Sequence, residues 1–119
     1  MKNFKINELV TSFICGIREQ NLAIEQGNPQ VGNKCALLYC AAAKELLSRG
    51  KDGLEAFSAL LEHSNIFVRT MAAAFLIPFK TIESKAVLEL SAESLNTAGL
   101  GAKIALRRWK EEGRGVDLE

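Results

Sequence analysis

Three thiols, one imidazole and a few charged or glycine-bearing clusters are the side chains from which this 119-residue chain would have to build a reactive or ligating site. Cys15, Cys35 and Cys40 are odd in number and lack the C-x-x-C spacing of zinc or thioredoxin-type chemistry. Each lies in an apolar helical context, F-I-C-G-I or N-K-C-A-L-L-Y-C, so all three are expected as reduced, buried small hydrophobes in a reducing compartment. His63 is the sole histidine, which excludes H-E-x-x-H and any multi-histidine metal site. Its expected place is the closing turn of a helix, where an imidazole meets the negative end of the dipole. A Cys–His pair formed on folding stays open, with no third orienting group indicated. Ser64 follows His63 directly, and sequence neighbours do not face one another on a helix. Gly99-Leu100-Gly101 is too short for a dinucleotide fingerprint and follows no strand. Glu111-Glu112 are adjacent carboxylates at a helix end and not an acid/base pair across a cleft. The sequence therefore predicts no catalytic residue, no cofactor and no metal.

Lys103 and the run Arg107-Arg108-Trp109-Lys110 offer a different chemistry, cations for phosphates and an aromatic ring for a base. Bulk charge does not reinforce it: the net charge is +1 with 24% charged residues, so nothing advertises nucleic acid or an anionic membrane. The first residues, M-K-N-F-K-I-N-E-L-V, lack a secretory core and cleavage site, and no apolar run reaches a spanning length. A soluble cytoplasmic protein is expected, with no membrane partner. At 48% apolar content the length suits a single domain over 1–119, with 112–119 as a frayed tail.

The elements that would position these groups are all helical, since no window alternates with a period of two. A first helix over 5–26 steps through Ile6, Leu9, Val10, Phe13, Ile14 and Ile17; Gly16 inside it signals close packing or local weakness. Asn28-Pro29 starts a second, to about 49, with Val31, Cys35, Leu38, Tyr39, Ala42 and Leu46 on its stripe. Gly50-Lys51-Asp52-Gly53 is the strongest turn signal. Leu54, Phe57, Leu60 and Leu61 then form a short third helix. Residues 65–78 are apolar almost all round, so this fourth helix must be enclosed, with Val68, Met71, Ala72, Phe75 and Leu76 at the centre. Asn65 should cap it, and Pro78 should stop it by pushing the preceding residue out of the α region. A fifth helix over 82–94 is expected to turn Ala86, Val87 and Leu90 inward, and a last one over 97–112 to present Leu100, Ile104, Ala105, Leu106 and Trp109.

Six helices fall into three hairpins, and their second members align: N-P-Q-V-G-N-K-C-A from Asn28, N-I-F-V-R-T-M-A-A from Asn65, and T-A-G-L-G-A-K-I-A from Thr97. Each has a capping residue followed three positions on by an aliphatic one, Val31, Val68 or Leu100. The middle copy, N-x-x-V-R-x-x-A-A-x-x-L, resembles the second helix of a HEAT repeat. Residues 53–79 thus resemble a HEAT or armadillo unit, and 60–109 a bacterial family of small helical domains of that fold. The resemblance implies an α-α superhelix. Some small HEAT-like bacterial proteins are immunity proteins of contact-dependent or polymorphic toxin systems, which implies a non-enzymatic partner-blocking role. Gly32 and Gly101 stand where the middle copy has Arg69, so that arginine is not repeated. Helical-repeat proteins resembling alkylpurine glycosylases also lay basic helices on DNA, but they are longer and their catalytic residues have no match here.

Charge is segregated within this scheme. First helices of the hairpins hold eight acids (Glu8, Glu19, Glu25, Glu55, Glu62, Glu83, Glu89, Glu93) against three bases. Second helices reverse the count, with Lys34, Lys44, Arg49, Arg69, Lys103, Arg107, Arg108 and Lys110 against three acids. Such layers also follow from solvated faces and helix dipoles. As a docking surface, the acidic layer suits a cationic toxin domain, a nuclease for example, through Glu55, Glu62, Glu83, Glu89 and Glu93. The alternative partner is nucleic acid, bound by Lys103, Arg107, Arg108, Trp109 and Lys110.

Overall fold

Asparagine side chains start three of the helices. Asn28 accepts the Val31 N–H at 3.3 Å ahead of Pro29, and Asn65 accepts the Phe67 and Val68 N–H groups at 2.9 and 3.3 Å. Asn96 accepts the Gly99 N–H at 3.1 Å. Each bond satisfies a backbone donor that the first helical turn leaves without an intrahelical partner. The third cap is therefore Asn96 and not Thr97, which moves the aligned register by one residue. In the computed structural model, which describes residues 1–116, the helices are α1 (Ile6–Glu25), α2 (Pro29–Ser48), α3 (Gly50–Ser58), α4 (Ile66–Leu76), α5 (Thr81–Ser91) and α6 (Thr97–Glu112). A 3₁₀ turn, Ala59–Glu62, follows α3. No strand occurs among the described residues, and the fold is all-α as the patterning predicts.

The chain divides into two units, Met1–Phe57 and the part from Ser58 onward. In the first, α1 and α2 form an antiparallel hairpin around Gly16. A Cβ there would lie 3.1 Å from Tyr39 Cβ and 3.2 Å from the Cys35 carbonyl oxygen, so the glycine marks a close helix crossing and not a weak point. Gly27 and Gly50 adopt φ values of +69° and +71°, the left-handed conformation that lets the chain leave α1 and α2 at no steric cost. Phe13 is fully buried, edge-on to Tyr39 at 6.0 Å and to Phe57 at 4.9 Å between ring centroids. Leu9, Ile17, Ala42, Ala43 and Leu46 complete this core. Val31 and Leu38, expected on the inward stripe, are exposed; the hairpin buries Gly32 and Cys35, whose small size allows the close approach. Cys15 is likewise exposed, because it faces away from the crossing that buries its neighbour Gly16.

The second unit is built around α4. Val68, Thr70, Ala72, Ala73, Ala74, Phe75 and Leu76 are buried, and Met71 is half-buried. α5 and α6 each pack against α4 and against one another. Ile77 keeps an α-helical conformation (φ −57°, ψ −35°), so Pro78 does not end α4 by displacing its predecessor. The helix ends because proline has no N–H to continue the ladder, and the Phe79 and Lys80 N–H groups both close onto the Leu76 carbonyl, at 2.9 and 2.7 Å. Gly115 lies against Pro78 and the Ala74 carbonyl. Of the tail expected to fray, residues 117–119 lie outside the described residues.

Candidate functional site

The buried face of α5 sets one leucine between two serines, and this decides what the opposite face displays. Ser84, Leu88 and Ser91 are buried, at three- and four-residue steps. The Thr70 hydroxyl of α4 donates to the Ser91 hydroxyl at 2.7 Å, which satisfies two polar groups inside the core. Ser84 is fully buried, and its Oγ has no hydrogen-bond partner among the described residues. The inward stripe expected at Ala86, Val87 and Leu90 is thereby corrected: Ala86 and Leu90 are exposed and Val87 is half-buried. Close approach to α4 favours the Ser84–Leu88–Ser91 side, and a helix cannot bury both sides against one neighbour. The same correction applies to α6, where Ala98, Gly99 and Ala102 are buried while Leu100 and Ile104 are exposed. Ala105, Leu106 and Trp109 are half-buried.

The outer face of α5 consequently carries Ile82, Ala86 and Leu90 at four-residue steps, with Ile82 83% and Leu90 69% exposed. Glu83 and Glu89 lie about 60° to either side of Ala86 at ~100° per residue, and Glu93 follows just beyond the helix. Among the described residues no cation stands within ion-pair distance of these three carboxylates. The sequence-predicted acids thus separate into groups. Glu83, Glu89 and Glu93 come together around an apolar stripe; Glu62 ends the 3₁₀ turn; Glu55 belongs to the first unit, 4.0 Å from Lys51 Nζ. Ile82, Ala86 and Leu90 themselves were missed as surface residues. The available signal was Thr70 on an otherwise apolar helix, whose hydroxyl requires a buried partner such as Ser91.

On α6, Lys103, Arg107 and Lys110 are exposed, and Arg108 and Trp109 are half-buried. Arg107 and Arg108 line a shallow concavity with Ile104, Glu111 and Glu112. Arg114 Nε donates to Glu112 Oε2 at 2.8 Å, and this bond, with the charges of Arg114 and Arg108, holds the Glu112 carboxyl below its usual range. Two carboxylates therefore share this concavity with the two arginines, and the aromatic ring is only half-exposed for stacking.

The remaining sequence candidates serve the structure. His63 closes the 3₁₀ turn, and its Nδ1 accepts the N–H of the capping residue Asn65 at 3.0 Å. Arg69 Nη1 donates to the His63 and Ser64 carbonyls at 3.3 and 3.0 Å. Arg49 Nη2 reaches the carbonyls of Met1, Lys2 and Phe4, while its Nε donates to Glu45 Oε2 at 2.7 Å. Burial pushes the Cys40 thiol up, and burial first, then the neighbouring Cys40, pushes up the Tyr39 hydroxyl. Among the described residues no three His, Cys, Asp or Glu side chains gather as metal ligands, and no helix is long and apolar enough to cross a membrane.

No protein-family model and no curated protein matches the chain. Among solved structures, the crystal structure of the protein RPA1889 from Rhodopseudomonas palustris CGA009 is similar, with a TM-score of 0.85 over 98% of this chain and 97% of that one, at 22% identity. At that identity the likeness shows a shared fold, and the functional argument rests on the α5 surface.

Proposed function

We propose that this chain is a non-enzymatic protein-binding module that docks its partner on the outer face of α5, and most specifically a cytoplasmic immunity protein that neutralises a toxin domain. The observation that carries the reading is the pairing of the exposed Ile82 and Leu90 with Glu83, Glu89 and Glu93, none of which has an ion-pair partner among the described residues. Water is a poor environment for a contiguous aliphatic stripe, and carboxylates without ion pairs can meet a cationic surface at no cost in existing bonds. The immunity role adds the HEAT-like character of N-I-F-V-R-T-M-A-A on α4. A nuclease toxin, which must itself be cationic to hold nucleic acid, suits an acidic blocker.

Co-expression with the product of the adjacent upstream gene tests this. A complex that survives purification, with rescue of cells expressing that product, is the expected result. The absence of both the complex and the rescue would overturn the immunity role.

A further inference from the structure

We infer that the partner element seated on α5 is a basic amphipathic helix, with aliphatic residues along its centre and Lys or Arg on both flanks. This rests on the protein-binding reading above and specifies the occupant of the same face. Three features of the surface select it.

The first is relief. Ile82 and Leu90 stand one turn on either side of Ala86, so the stripe is a ridge with a shallow saddle at its middle. Residues at four-residue steps form the ridges along which helices pack, and a small residue at the crossing lets the two axes approach. The second is charge. Glu83 flanks the saddle on one side and Glu89 on the other, with Glu93 beyond, against the single cation Lys85 on the same helix. A helix laid across the saddle would meet a carboxylate on either flank. The third is exclusion. A second copy of this chain docked α5 to α5 would bring one set of carboxylates against another, and an anionic lipid surface or a phosphate backbone would meet the same repulsion. An uncharged apolar helix would leave the carboxylates partly desolvated without partners.

A fluorescein-labelled peptide of about five helical turns, with leucines every three or four residues and lysines along both flanks, is the direct probe; an isomer with glutamate for every lysine is its control. Fluorescence anisotropy should show the basic peptide binding and the acidic one not. Binding should weaken about tenfold in Glu83→Lys/Glu89→Lys, with a shallower salt dependence, and about as much in Ile82→Ser/Leu90→Ser, with the salt dependence kept. All four positions are exposed, and circular dichroism checks that the helices persist in each variant. Equal binding of the two peptides, or wild-type affinity in both variants, would overturn the inference. A natural partner that cross-links to α5 but is not displaced by the basic peptide would remove the proposed occupant and leave the protein-binding reading standing. A partner that cross-links only elsewhere would remove both.

Discussion

Ser84 and Glu45 show how single groups answer to their surroundings. A serine hydroxyl buried without a partner forfeits its hydrogen bonds to water and gains none, so Ser84→Ala should raise stability by about 1 kcal/mol. Thr70→Val does the reverse, since it strands the Ser91 hydroxyl, and should cost about 1 to 3 kcal/mol. Chemical denaturation of the two variants decides both signs. Glu45 belongs to a solvent-facing arrangement: the bond from Arg49 holds its carboxyl below the usual range, helped by the charge of Arg49, the Ser48 hydroxyl and the N-terminal ammonium. A depressed pKa means that the folded chain favours the ionised form more than the unfolded chain does. The contribution is therefore complete above the unfolded-state pKa and disappears as the pH falls through the folded-state one. The Arg49 Nε–H resonance should titrate across that acid window in the native protein and stay flat in Glu45→Gln. Glu45 and Arg49 stand at the local spacing of a helical ion pair, but the carbonyls of Met1, Lys2 and Phe4 meet Arg49 only through the fold.

At the level of elements, the starts of α2 and α4 were legible, the start of α3 and the capping residue of α6 were not, and helix faces were legible only in part. Asn28-Pro29 and Asn65 act locally, and the caps form where residue type alone places them. The buried side of α4 was also legible, since an element apolar nearly all round leaves few choices. α5 and α6 were not, because each offers two stripes: Ile82, Ala86 and Leu90 against Ser84, Leu88 and Ser91 on α5, and Leu100 and Ile104 against Ala98, Gly99 and Ala102 on α6. The tight turn before α6 shows why the Ala98–Gly99–Ala102 stripe is inside: a Cβ on Gly99 would collide with the Ser94 carbonyl oxygen, a backbone atom with little room to move. Gly99→Ala should therefore lower stability by about 1 to 3 kcal/mol despite the better helix propensity of alanine. A thermal melt at or above the wild-type midpoint would contradict that account. Gly101, two residues on, has nothing within 4 Å of the same added atom, and Gly101→Ala serves as the tolerant control.

Across the whole molecule, each unit has an aromatic anchor, Phe13 in the first and Phe75 in the second. Truncating either to alanine should cost about 3 to 5 kcal/mol, a large share of what holds a small domain folded. Denaturant midpoints for Phe13→Ala and Phe75→Ala check this. The near-zero net charge conceals a local division in the second unit: three carboxylates against one lysine on and just after α5, four cations against two carboxylates on α6. Composition, caps and the nearly all-round apolar character of α4 were enough to determine an all-α fold, because backbone capping and burial of a largely apolar helix are satisfied by residue type and short-range spacing. Which side of α5 meets α4, and hence that Ile82 and Leu90 face water between Glu83, Glu89 and Glu93, was decided only in three dimensions. Small side chains and a shared hydroxyl bond allow two backbones to approach, and that gain depends on a neighbour twenty-one residues away that no local pattern reveals.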